Sequence, residues 1–131
     1  HRRAIAPHCF LASVSGGDLT SDEAVAVATE LREGGAKWAL ITRGSKGAIL
    51  LGAEGQFEVP ASPAELVDTL GAGDTFIART LYGLVAAETP QILLSAAAIA
   101  AAETCRYFGA IGHGAPIALS GDVPALQTLS A

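Results

Sequence analysis

Val67-Asp68-Thr69-Leu70-Gly71-Ala72-Gly73-Asp74-Thr75-Phe76 is the stretch whose reading decides the fold. Gly71 and Gly73 carry no Cβ, so the backbone there can turn tightly and pass close to a ligand. The residues from Phe76 to Val85 are mostly apolar and predict a helix opened by that turn. Free N–H groups at such a start face outward at the positive end of the helix dipole, which suits a phosphate. Asp74 falls in the first turn. A carboxylate there is either a residue the dipole favours or a base beside a bound phosphate, and the residue type alone leaves both open. Two other glycine motifs do not fit. A dinucleotide fingerprint needs a third glycine where Phe76 stands, and a Walker A loop needs Lys-Ser or Lys-Thr where Asp74-Thr75 stands.

Upstream of this turn the chain reads as strand, helix, strand. Cys9 to Val14 is a short apolar run, expected to be a buried parallel strand. Thr20 and Glu23 have capping-box spacing, Ala24, Val27, Ala28 and Leu31 follow at helical spacing, and Gly34-Gly35 stops the helix. Lys37 to Thr42 reads as the next strand and Arg43 to Gly47 as a glycine turn. Ala48–Leu51 and Gln56–Val59 read as strands joined through Gly52 to Gly55. These elements predict an α/β fold with a parallel sheet flanked by helices and an antiparallel hairpin at its edge.

Pro60 to Leu66 is a loop leading to the signature. Thr89-Pro90 is a second helix start, and that helix runs through Ile92, Ala96, Ile99 and Ala102 to about Tyr107. Its alanines predict close packing against a neighbouring element. Gly109 to Pro116 reads as a glycine-rich loop and Asp122 to Leu129 as a short helix. His1 to Pro7 reads as a linker or the remnant of an earlier element.

Composition narrows the function. Half of the 131 residues are hydrophobic and 16% are charged, which describes a globular chain with a real core. A net charge of −5 with scattered basic residues argues against nucleic acid or an anionic membrane as partner. Leu93 to Ala102 is too short to span a bilayer, and a cytoplasmic location is expected. Cys9 and Cys105 read as buried free thiols in a reducing compartment. His1, His8 and His113 lack metal-ligand spacing, and Trp38 reads as core. The sequence has no methionine and begins His1-Arg2-Arg3, so a processed chain or a piece of a longer protein is expected.

The wording Asp68-Thr69-x-Gly71-Ala72-Gly73-Asp74-x-Phe76 resembles the C-terminal signature of the ribokinase-like (PfkB) family of carbohydrate kinases. Thr42-Arg43-Gly44-Ser45-Lys46-Gly47 is similar to the strand-end loop that touches nucleotide phosphates and ribose in that family. Cys105 to Pro116 is similar to its loop over the adenine, and the wording around Tyr107-Phe108-Gly109 and Gly112-His113-Gly114 resembles fructoselysine 6-kinase-like members. The resemblance implies a ribokinase-like fold of which this chain is the C-terminal, nucleotide-binding part, the sugar-binding part lying upstream. It implies ATP-dependent phosphorylation of a sugar or sugar-like alcohol. The amides of Gly71, Ala72 and Gly73 would hold the transferring phosphoryl, and Asp74 would take the hydroxyl proton. Thr42, Gly44, Gly47 and Gly73 would contact the nucleotide. Mg²⁺ would accompany ATP on ligands from the upstream region. Asp68, with the Leu70 carbonyl, would help hold a monovalent cation such as K⁺, and its other reading is a turn residue.

Arg79 departs from the family's usual small residue, so either its packing differs or its side chain reaches solvent or a phosphate. The expected partners are a sugar and ATP, with a homo-oligomer or packing against the upstream half covering exposed surface. The competing function is a non-catalytic nucleotide-binding module, or a fragment that needs a partner chain.

Overall fold

The centre of the molecule is a strand with no polar residue before its last position. The computed structural model describes residues 2–110, with side chains described from Ala4 onward. The elements run α1 (Arg2–Ile5), a 3-10 turn (Ala6–His8), β1 (Leu11–Ser15), α2 (Ser21–Glu33), β2 (Trp38–Thr42), a 3-10 turn (Gly44–Lys46), β3 (Ala48–Gly52), β4 (Gly55–Val59), α3 (Ala72–Val85) and α4 (Pro90–Thr104). The sheet order is β1-β2-β3-β4. β1 and β2 are parallel, with Leu11 opposite Trp38, and α2 makes the crossover between them. β3 and β4 pair antiparallel beyond β2, joined tightly at Gly52 and Gly55. The mixed sheet therefore matches the expected parallel unit with an edge hairpin.

Side chains alternate across the pleat and feed two cores. On one face Ala39, Ile41 and Ile49 meet Ala24, Ala28 and Leu31 of α2. On the other, Trp38, Leu40 and Leu50 meet Phe76 of α3 and Leu93, Leu94 and Ala97 of α4. Helices thus cover both faces. Leu40, Leu50, Leu93 and Leu94 are wholly buried, each worth about 1.5–3 kcal/mol by transfer from water. Close helix packing predicted from the alanines of α4 is present. A Cβ on Gly83 of α3 would sit 2.6 Å from Leu93 Cβ, so the two helices touch there almost backbone to side chain. Trp38 is core, and its indole lies where a Cβ on Gly52 would be, so the end of β3 must be bare.

Several expectations are corrected. Among the described residues β1 lies at the edge of the sheet and is only partly buried. Ala12 is buried, but Ser13 and Ser15 are exposed and no described strand pairs with its outer side. The segment before β1 is not a loose linker, because Ala6 is buried against Gly34 and the α2 core. Cys9 is only half-buried and its thiol donates to the Ile5 carbonyl at 3.5 Å, whereas Cys105 is buried as expected; both are free. In α4 the core stripe is Leu93, Leu94, Ala97 and Ala98, while Ile92 and Ile99 point outward, and regular helix ends at Thr104. Arg79 reaches Glu88 beyond the end of α3 at 2.9 Å and lies over the Tyr82 ring, so it serves the α3–α4 corner. His113, the Ile111–Pro116 part of the glycine-rich loop and the helix expected over Asp122–Leu129 lie outside the described residues.

Candidate functional site

Helix direction places the site. Leu84, Val85 and the α3–α4 connection share a hollow with Phe10, Lys37 and Trp38, at the starts of β1 and β2. α3 therefore runs opposite to the parallel pair, and its N-terminus lies at the carboxyl ends of β1 and β2. Ligands of open α/β sheets bind outside those carboxyl ends. The glycine turn and the loop after Thr42 share this end.

α3 begins without a side-chain cap. Gly71 is the N-cap residue, at φ +82°, where an L side chain is strained and where a Cβ would press on Ala110 at 2.7 Å. The Thr69 carbonyl accepts the Ala72 N–H at 3.2 Å, and the Gly71 carbonyl accepts the Thr75 N–H at 2.9 Å. The N–H groups of Gly71, Gly73 and Asp74 have no hydrogen-bond partner among the described residues. A Cβ on Gly73 would meet no described atom within 4 Å, so the space beside its Cα is open. The donor set expected from sequence therefore shifts. Ala72 is engaged inside the turn, and Asp74 contributes its amide as well as its carboxylate. That carboxylate is exposed in the first helical turn and has no hydrogen-bond partner among the described residues.

The turn is strapped to the end of α4. Asp68 Oδ1 accepts the Leu70 N–H at 2.9 Å and Oδ2 accepts the Gly109 N–H at 2.9 Å. The Cys105 carbonyl accepts the N–H groups of Val67 and Asp68 at 2.9 and 3.1 Å. Thr104 Oγ1 donates to Thr75 Oγ1 at 3.0 Å. The bond from Leu70, then that from Gly109, holds the Asp68 carboxyl below the usual carboxylate range. Asp68 thus has a turn role in the structure, and each oxygen keeps a further acceptor site.

The second loop is built differently. Thr42 ends β2, its carbonyl accepting from Gly16 N–H at 2.8 Å, and Arg43 N–H donates back to Gly47 at 2.8 Å. Gly44 lies at φ +57° with open space around it, whereas a Cβ on Gly47, at φ +88°, would collide with the Val59 carbonyl. Of the expected contact residues, Gly44 faces outward and Gly47 lets the loop close. The sequence reading passed over Arg43 and Lys46. Arg43 Nη1 donates to Ser21 Oγ at 3.0 Å and Nη2 to the Leu19 carbonyl at 3.4 Å, and Lys46 Nζ reaches the same carbonyl at 3.4 Å. Two basic residues in one glycine loop were the available signal.

Comparison with known proteins identifies the family and the fold. Residues 10–118 match the model of the pfkB family of carbohydrate kinases. The fructosamine kinase FrlD of Bacillus subtilis (strain 168) is 38% identical over 117 residues, which are 89% of this chain and 41% of that protein. An Arabidopsis thaliana ribokinase solved with ribose and ATP superposes with a TM-score of 0.75 at 26% identity, over 83% of this chain and 38% of that one. A putative ribokinase II from E. coli, solved with ATP and Mg²⁺, gives a TM-score of 0.69 at 25% identity, over 83% and 37% of the two chains. The chain spans about two fifths of the length of these proteins. It belongs to the pfkB family of carbohydrate kinases and has that family's ribokinase-like fold.

Proposed function

We propose that this chain is the C-terminal, phosphate-handling part of a kinase that transfers the γ-phosphoryl of ATP to a hydroxyl of a sugar or sugar-like alcohol. The observation that carries the reading is the open start of α3, where the Gly73 and Asp74 N–H groups lack partners among the described residues and the Asp74 carboxylate stands in the same turn. Phosphoryl transfer asks the protein mainly to position groups and to stabilise charge. The amides of Gly71, Gly73 and Asp74 hold the transferring phosphoryl, and Asp74 accepts the proton of the attacking hydroxyl. Thr42 and Gly44 face the nucleotide at the neighbouring loop. The similarity to a fructosamine kinase supports a fructosamine-type acceptor.

Mg²⁺, when bound with ATP, neutralises charge on the β- and γ-oxygens. Among the described residues no group of three or more His, Cys, Asp or Glu is gathered for a metal, and in this reading the Mg²⁺ ligands come from the upstream region. The spare lone pairs of Asp68 and the Leu70 carbonyl fit a monovalent cation. The sugar-binding part lies upstream, and the open edge of β1 with the exposed Leu81 and Val85 supports packing against that part or another chain. The 131 residues by themselves then bind nucleotide without phosphorylating a sugar. No helix of the described residues is long and apolar enough to cross a membrane.

The test is a coupled kinase assay of the complete protein with fructosamines and simple sugars, beside calorimetric ATP binding. Phosphorylation that Asp74→Asn abolishes while ATP still binds is the expected result. A protein that binds ATP and phosphorylates no sugar-like alcohol would be a nucleotide-binding module instead.

A further inference from the structure

The C-terminal end of α4 holds the glycine turn on both sides. Before the turn, the Cys105 carbonyl accepts the N–H groups of Val67 and Asp68 at 2.9 and 3.1 Å. After it, Thr75 Oγ1 lies 3.0 Å from Thr104 Oγ1. The stretch between contains Gly71 and Gly73, the residue type with the least backbone restraint of its own, so its placement depends on these anchors. Thr104 differs from the rest of its helix. The other polar side chains of α4, Gln91, Ser95 and Glu103, are exposed, whereas Thr104 is half-buried and meets α3. Its hydroxyl has two acceptors in reach, Thr75 Oγ1 and the Ala100 carbonyl, the latter at 3.2 Å. When the hydrogen turns to Ala100, the Thr75 hydroxyl can donate in its place, so the pair stays bonded in either orientation. A threonine of α3 does not gain such a partner by default. Thr80, wholly buried further along the helix, has none for its hydroxyl among the described residues. Asp74 and Thr75 are neighbours in the first turn of α3. Successive residues of a helix point about 100° apart, so holding Thr75 toward α4 fixes the direction of Asp74. The Asp74 side chain itself is exposed and has no hydrogen-bond partner among the described residues to orient it.

We propose that Thr104 is a positioning residue for phosphoryl transfer. Its bond to Thr75 sets the rotation of the first turn of α3 and so aims the Asp74 carboxylate at the hydroxyl it deprotonates. The inference rests on the kinase reading above, with Asp74 as base, and adds to it a residue that acts through Thr75 rather than on the substrate.

The complete protein is assayed for phosphorylation of the acceptor that the parent turns over, and for calorimetric ATP binding. The variants are Thr104→Val, Thr104→Ser, Thr75→Val, the double Val variant and Thr80→Val. Thr104→Val keeps the shape of the side chain and removes the hydroxyl. It is expected to lower kcat roughly 10-fold, with KM for the sugar and Kd for ATP within about 2-fold of the parent, because a misaimed base costs rate rather than binding. Thr104→Ser should recover most of that rate. Thr75→Val should match Thr104→Val, and the double variant should lose no more than either single one, since each breaks the same bond. In an Asp74→Asn background Thr104→Val should have no further effect on the residual rate. Thr80→Val, which removes a hydroxyl without a described partner, should run at the parent's rate. Thr75→Val carries the test if Thr104→Val does not fold. Parent-like kcat in both single Val variants, multiplied losses in the double variant, an equal loss in Thr104→Ser or an undiminished effect beside Asp74→Asn would each overturn the inference and leave the kinase reading intact. A parent that phosphorylates no sugar-like alcohol, or an Asp74→Asn variant with parental turnover, would overturn the reading beneath it and this inference with it.

Discussion

Two helices start at the same end of the sheet, and they start in opposite ways. α2 opens with Thr20 and Glu23 closed on each other. The Thr20 N–H reaches Glu23 Oε2 at 2.8 Å, and the Glu23 N–H reaches Thr20 Oγ1 at 3.3 Å. α3 opens with a glycine in the left-handed region and no side chain over its amides. Each helix has an acid at its third position, Glu23 in one and Asp74 in the other. Glu23 bends back to cap its own helix, and the Thr20 N–H, then the Thr20 hydroxyl, hold its carboxyl below the usual range. Asp74 is a methylene shorter, its N-cap residue Gly71 has no hydroxyl to offer, and it does not accept the Gly71 N–H. A helix start that closes on itself stabilises the fold. One that stays open gives up that stability and keeps its donors for a ligand.

The comparison can be broken from either side. Asp74→Asn in the complete protein should remove most turnover, toward the upper end of ~10²–10⁴-fold for a lost general base, with ATP binding kept. Coupled-assay rates beside calorimetry decide it, and turnover within a few-fold of the parent would end Asp74's role. Gly71→Ala should destabilise by about 1–3 kcal/mol through the left-handed backbone alone, with the Ala110 contact adding to it. Urea midpoints measure this. Thr20→Ala should cost about 0.5–2 kcal/mol by the same method and leave ATP affinity untouched, because its amides face no ligand. Gly73→Ala should leave stability level or raise it by up to ~1 kcal/mol, since the new methyl meets no atom of the described residues. It should still weaken ATP binding, because the methyl fills open space beside the Gly73 backbone that a phosphate would approach.

The smallest expected effect is on acid stability. Glu23 and Asp68 have folded-state pKa values below their ordinary 4.5 and 3.8. Their contribution is therefore complete above those ordinary values and fades as pH falls through the lowered folded ones. Thr20→Ala should bring the acid unfolding midpoint up slightly, followed by circular dichroism between pH 5 and pH 2, a window set by ordinary carboxylate pKa values of about 3.9–4.3. An unchanged midpoint would show that the Thr20–Glu23 box carries no charge-linked stability.

Local signals were legible in the sequence and long-range ones were not. Thr20 with Glu23, Thr89 with Pro90, and the paired glycines at 52 and 55 each carry their structural meaning within a few residues. The strands, the hairpin and the helix starts followed from them. Strand order has no such local marker, so the apolar run from Cys9 to Val14 read as buried although β1 is the edge of the sheet among the described residues. The signature identified the glycine turn, yet which amides remain open depends on the Thr69 carbonyl folding back onto Ala72. Asp68 meeting Gly109, Arg79 meeting Glu88 and Arg43 meeting Ser21 join residues 41, 9 and 22 positions apart, and only the folded chain brings them together.

Trp38 gives the molecule an optical reporter of its own. It is the one tryptophan in the chain, and its indole is packed against the bare backbone of Gly52 at the start of β2, the end of the sheet away from the glycine turn. Its emission should be that of an indole shielded from water and should shift to the red only when β2 and β3 come apart. Nucleotide arriving at the far end should leave the spectrum still. Fluorescence therefore separates two events that a binding assay alone confuses, namely a variant that no longer holds its ligand and a variant that no longer holds its fold.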